Sequence, residues 1–143
     1  MAKFIAPYIT EVEYRCPCCD AFPPDFDPGD ILAPYQILFD GFAEIRREWG
    51  GPLRISSGYR CPMRNAFVGG RVLSAHMFGL ALDIDVDSVD EVARLDRIID
   101  SLYPEFRRGT YANSERSFIH IDVAYFIFPR ASESWIEGLR WTG

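Results

Sequence analysis

Two short runs constrain this chain most. Leu80-Ala81-Leu82-Asp83-Ile84-Asp85-Val86 and Phe118-Ile119-His120-Ile121-Asp122-Val123 alternate apolar with other residues. Period-two alternation marks strands with one face in a core. In the first run Leu82, Ile84 and Val86 face one way, and Ala81, Asp83 and Asp85 the other. In the second, Ile119, Ile121 and Val123 face the core, while Phe118, His120 and Asp122 share the opposite face. If the two strands are neighbours, Asp83 and His120 meet on a non-core face.

The chain holds only two histidines. His76 stands seven positions before Asp83, and His120 sits on the second strand. Gly79, between His76 and the first strand, gives that loop conformational freedom that a β-carbon denies. An imidazole or a carboxylate in apolar surroundings is costly unless it has a partner. His76, Asp83 and His120 together form a three-ligand set, and three protein ligands with an open position describe a catalytic zinc site. A solvated outer face would explain Asp83, Asp85 and Asp87, but not the two histidines.

The rest of the chain frames these runs. Residues 1–30 read as an extended arm, because Phe22-Pro23-Pro24-Asp25-Phe26-Asp27-Pro28-Gly29 cannot hold regular structure. A helix is expected from Leu32–Pro34 to Trp49, with Ile37, Leu38, Phe42 and Ile45 at helical spacing and Gly50-Gly51-Pro52 as its stop. Leu53–Ser56 reads as a strand and Met63–Phe67 as a short helix. Ser88-Val89-Asp90-Glu91 is a capping box that opens a helix through Tyr103. A strand-like piece at Tyr125–Phe128 and a short helix near Ser132–Leu139 complete the expectation. Strands and helices do not alternate regularly, so the fold class is α+β, a small and mainly antiparallel sheet covered on one side by helices.

At 143 residues, the chain suits one domain spanning 1–143. With 48% hydrophobic residues it is globular rather than disordered. The net charge of −6 comes without any Lys/Arg block, which argues against nucleic acid or an anionic membrane as partner. No apolar run reaches membrane-spanning length. Met1-Ala2-Lys3-Phe4-Ile5-Ala6-Pro7 is too short and interrupted for a secretory signal, so synthesis is expected in the cytoplasm, with export, if any, by a route not encoded here. Cys16, Cys18, Cys19 and Cys61 are too few and too clustered for a secreted disulfide framework. They are either free thiols or meet Cys61 in space as a disulfide or a second, structural zinc site. Three near-consecutive cysteines make a four-cysteine zinc site sterically awkward.

Ser74-Ala75-His76-Met77-Phe78-Gly79-Leu80-Ala81-Leu82-Asp83 resembles, at every fixed position, the Ser-x-His-x-x-Gly-x-Ala-x-Asp motif of the zinc D-Ala-D-Ala carboxypeptidases and dipeptidases. Ser57-Gly58-Tyr59-Arg60, Asn65 and Val68-Gly69-Gly70 resemble their phage and bacterial branch. Phe118–Asp122 resembles their second motif. The clear resemblance covers residues 53–123. It implies zinc on His76, Asp83 and His120. Arg60 would bind substrate and polarise the scissile carbonyl, and Ser74 would be a substrate or supporting hydrogen-bonding residue. It also implies an α+β domain like that of the Hedgehog and D-Ala-D-Ala peptidase proteins.

Many members carry an acidic general base three positions before the second histidine. Here that position is Ser117, whose hydroxyl cannot take a proton at neutral pH as a carboxylate can. Asp122 is the favoured substitute over Glu115, with Asp85 third; Asp122 could instead orient His120. The expected activity is a zinc peptidase cutting peptidoglycan stem peptides, of the D-Ala-D-Ala carboxypeptidase or phage endolysin type. Such a protein would be a monomer acting at the bacterial cell wall after phage-type release. The alternative is a non-catalytic zinc-containing binding domain, as in Hedgehog.

Overall fold

A computed structural model describes residues 3–113, 115–127 and 132–143. Its centre is a five-stranded sheet of order β3-β4-β6-β5-β7. These strands are β3 (Arg54–Ser57), β4 (Ala81–Val86), β5 (Arg107–Ala112), β6 (Ser117–Asp122) and β7 (Arg140–Thr142). All the pairings are antiparallel except β5 with β7, which makes the sheet mixed. The expected α+β architecture holds.

Two long helices cover one face. In α2 (Ala33–Trp49), Leu38, Phe39, Phe42 and Ile45 are fully buried. Left-handed Gly50 ends it, its N–H donating to the Arg46 carbonyl. In α4 (Val89–Leu102), Leu95 and Ile99 are fully buried. Ser88 Oγ accepts the Glu91 N–H, while the Glu91 carboxylate takes the Asp87 N–H instead of the Ser88 N–H that a complete capping box would use. These helices pack on Leu82, Ile84, Ile119 and Ile121, all fully buried. Each such side chain contributes about 1.5–3 kcal/mol on leaving water. Arg108 of β5 turns toward α4 and pairs with Asp100 at 2.8 Å.

The N-terminal segment is not an extended arm. It forms a hairpin, β1 (Phe4–Ala6) with β2 (Ile9–Thr10), followed by a one-turn helix, α1 (Glu11–Tyr14). Its Ile9, Tyr14 and Cys16 are fully buried in the main core. The prolines do break regular structure over residues 22–29, but Phe22 and Phe26 still pack against the Tyr14 ring. Near the other end, Ala124–Phe126 is a 3-10 turn rather than a strand, and Phe128 lies outside the described residues. Residues 132–139 form turns rather than a helix. Among the described residues, no helix is long and apolar enough to cross a membrane.

Candidate metal centre

Strand register builds the centre. β4 and β6 are neighbours, and Asp83 of β4 lies directly opposite His120 of β6. His76 arrives from a 3-10 turn (Ala75–Phe78) whose N-terminus is capped by Ser74 Oγ, which accepts the His76 N–H at 3.2 Å. Gly79 ends that turn at φ 71°. A β-carbon there would strain the left-handed backbone and collide with Pro23 and the Tyr14 hydroxyl. That hydroxyl donates to the Gly79 carbonyl at 2.6 Å. Gly79→Ala should therefore lower stability by about 2–4 kcal/mol, combining left-handed strain with overpacking. A denaturant midpoint shift measures it, and an unchanged midpoint would show that the turn tolerates a side chain.

His76 Nε2, Asp83 Oδ1 and His120 Nδ1 form a triangle with edges of 3.1, 3.1 and 3.2 Å. The outer nitrogens fix the tautomers. His76 Nδ1 lies 2.7 Å from the Gly58 carbonyl, which can only accept, so Nδ1 carries the proton and Nε2 presents a lone pair. His120 Nε2–H donates to Asp122 Oδ2 at 2.6 Å, leaving Nδ1 to face the triangle. Three electron-rich atoms therefore converge in a buried place, an arrangement that a proton or a cation must hold together.

The titration behaviour agrees. Burial disfavours charge on His120, but hydrogen bonds to Asp122 and Asp83 outweigh it and push its pKa up to about 9. Burial lowers the pKa of His76. Burial would raise that of Asp83, yet the two imidazoles hold it well below the usual carboxylate range. Tetrahedral zinc with ligands at 2.0–2.1 Å sets ligand atoms about 3.3 Å apart. The triangle fits zinc in donor type, spacing and outer hydrogen bonds.

Other expected residues fall in different places. Arg60 stands beside the triangle, its Nη2 3.6 Å from Asp83 Oδ2. Ser57 and Asn65 accept from its Nε and Nη1, both at 3.1 Å. Ser74 lines the recess over the triangle as well as capping its turn. Asp122 is fully buried and engaged at both oxygens. Oδ2 holds His120, while Oδ1 accepts the Ala124 N–H at 3.0 Å and lies 3.2 Å from Arg107 Nε. Glu115 is not brought to the triangle; it lines a separate recess with Trp49, Arg54 and Asp85. Asp85 is tied to Arg54, Ser56 and Arg116.

The recess of about 380 Å³ above the triangle is lined by Arg60, Arg71, Arg107, Tyr111, Trp135 and Trp141, among others. Tyr111 and Trp141 escaped the sequence reading because they lie on β5 and β7, which it did not identify. Arg107-Arg108-Gly109 is a poor strand signal, though Arg107, Gly109 and Tyr111 alternate onto the site face. Gly109 lies opposite His120 and leaves room for the Trp141 indole, which a β-carbon would strike. Trp141 Nε1–H donates to the Tyr111 hydroxyl at 2.7 Å, so the hydroxyl proton is free for another acceptor.

A buried His-Asp-His triangle under an open cleft offers three donors and an open position, which is what a catalytic zinc requires. The chain belongs to the peptidase M15 family, whose sequence model matches residues 17–122, a span containing the whole triangle, Arg60 and Asp122. It is a zinc metallopeptidase of the family that includes the D-Ala-D-Ala carboxypeptidases. A search of curated proteins found no match to the chain.

Proposed function

We propose that this peptidase cleaves peptidoglycan stem peptides, at a D-Ala-D-Ala or related bond, with His76, Asp83 and His120 as its zinc ligands. The observation that carries the proposal is the charge of the cleft. The chain has a net charge of −6, yet Arg60, Arg71 and Arg107 line the recess beside the triangle. That sign suits a peptide bearing free carboxylates, as stem peptides do, and electrostatic focusing raises its local concentration. Tyr111, Trp135 and Trp141 provide an apolar wall against which a short peptide can lie.

Zinc bound by the triangle would supply a Lewis acid and bring the pKa of a coordinated water to about 7. The chain's own residues do the rest. Gly58 and Asp122 take the outer N–H of His76 and of His120, so that His76 Nε2 and His120 Nδ1 are the nitrogens turned toward the metal. Arg60, braced by Ser57 and Asn65, places positive charge where the scissile carbonyl oxygen becomes anionic. The Tyr111 hydroxyl, accepting from Trp141, donates its proton to substrate oxygen. Asp122 acts through His120 as a positioning residue, since neither of its oxygens is unengaged.

Purified, zinc-loaded protein is expected to release D-Ala or a stem-peptide fragment from peptidoglycan. A chelator should stop the reaction and added zinc should restore it. Absence of turnover on every stem peptide tried, with zinc fully loaded, would favour a non-catalytic zinc-containing binding domain. As a phage-type enzyme released on lysis, the protein would meet this substrate at the bacterial cell wall.

A further inference from the structure

A second group of ligand atoms lies apart from the triangle. Cys16, Cys18 and Cys19 follow α1, while Cys61 caps α3 (Pro62–Phe67). Their four sulfurs all lie within 4.8 Å of one another. Cys16 and Cys18 sulfurs are 3.7 Å apart, and those of Cys18 and Cys61 3.3 Å. Zinc holding four sulfurs at 2.3 Å would set them about 3.8 Å apart, whereas a disulfide needs about 2.05 Å.

A tight turn resolves the steric difficulty of three near-consecutive cysteines. The Asp20 N–H donates to the Cys16 carbonyl at 2.8 Å, and the Cys16 N–H to the Ala21 carbonyl at 2.9 Å. Asp20 takes the left-handed conformation, φ 57°, that closes this turn. The turn curls the thiols toward Cys61.

Backbone amides are aimed at the sulfurs. The Cys61 N–H donates to Cys16 Sγ and the Arg64 N–H to Cys61 Sγ, each at 3.4 Å. The free-thiol reading does not explain the convergence, because Cys18 and Cys19 are exposed and fill no core.

We propose that Cys16, Cys18, Cys19 and Cys61 form a second, structural zinc site, independent of the His-Asp-His triangle. Its place in the chain gives it a task. Cys61 directly follows Arg60. Two residues before Cys16, the Tyr14 carbonyl accepts the Tyr59 N–H at 2.7 Å. The site would clasp the N-terminal segment to the loop that carries Arg60 and the Gly58 carbonyl partner of His76.

Metal analysis of the full chain, prepared with zinc under reducing conditions, tests this. Wild type should carry two zinc equivalents. His76→Ala and the Cys18→Ser/Cys19→Ser double variant should each carry one. Cobalt-loaded His76→Ala should show sulfur-to-cobalt charge-transfer absorption, and the cobalt-loaded double variant should lack it. If the double variant does not fold, thiol alkylation of native wild type supplies the second measurement. It should release one zinc equivalent to a chromogenic chelator and leave the other bound.

Four reactive thiols with no cobalt–sulfur absorption would overturn the proposal. So would two reactive thiols in a chain lighter by two hydrogens, which indicates a disulfide. Zinc that survives His76→Ala but not alkylation supports the cysteine site even if the triangle proves empty.

Discussion

His76→Ala is expected to abolish the proposed stem-peptide hydrolysis and to remove the zinc proposed for the triangle. His76 is almost fully buried and supplies one of three donors, so its loss leaves Asp83 and His120 as an incomplete pair. A metal that stabilises developing charge by several kcal/mol accounts for roughly a thousandfold or more in rate. Turnover should fall at least that far. Truncation also leaves the Gly58 carbonyl without the N–H it accepts at 2.7 Å, so some stability is lost as well. Circular dichroism and a melting curve separate unfolding from metal loss. A folded variant that keeps both its full zinc content and its activity would mean that the catalytic metal sits elsewhere.

Asp122→Asn should weaken zinc binding about ten- to a hundredfold, with turnover per bound zinc largely retained. Asp122 receives the His120 N–H on one oxygen and the Ala124 N–H on the other, with Arg107 alongside. An amide of the same size has only one oxygen. If that oxygen faces Ala124, its NH₂ group confronts the His120 N–H, and the imidazole proton is driven to Nδ1, where the metal must bind. If it faces His120 instead, the NH₂ group confronts the Ala124 N–H and the Arg107 guanidinium. Either orientation sets donor against donor in a buried place. Zinc affinity from competition with a chelator, measured beside turnover at saturating zinc, distinguishes the roles. A loss of two to four orders of magnitude in turnover with affinity unchanged would make Asp122 the general base instead. Glu115→Gln should leave both quantities unchanged, because Glu115 lines another recess.

The amino-acid sequence alone determined the elements whose pattern is local and periodic. The alternation in Leu80–Val86 and Phe118–Val123 placed Asp83 and His120 on one face, and β4 and β6 pair with those residues in register. The same alternation put Ile84, Ile119 and Ile121 in the core. Proline, glycine and capping residues located α2 and α4 to within a residue or two.

Tertiary structure decided the rest, for a common reason: each feature depends on partners distant in sequence. β5 carries Arg107, Arg108 and Gly109, poor strand formers by themselves. It is a strand because β6 and β7 pair with its edges, Asp96 and Asp100 receive Arg108, and Trp141 packs over Gly109. Residues 3–20 carry too little apolar periodicity to announce burial. Ile9 and Tyr14 are buried because α2 and β3 offer the surface they complete. Asp122 alternates onto the site face with His120, and only the surroundings show that both its oxygens are occupied. Cys61 lies 43 residues from Cys18, and no local pattern connects them. Their meeting depends on the path of the chain between the Tyr14–Tyr59 contact and the start of α3, because loop closure over such a distance is governed by the packed core rather than by the residues that it brings together.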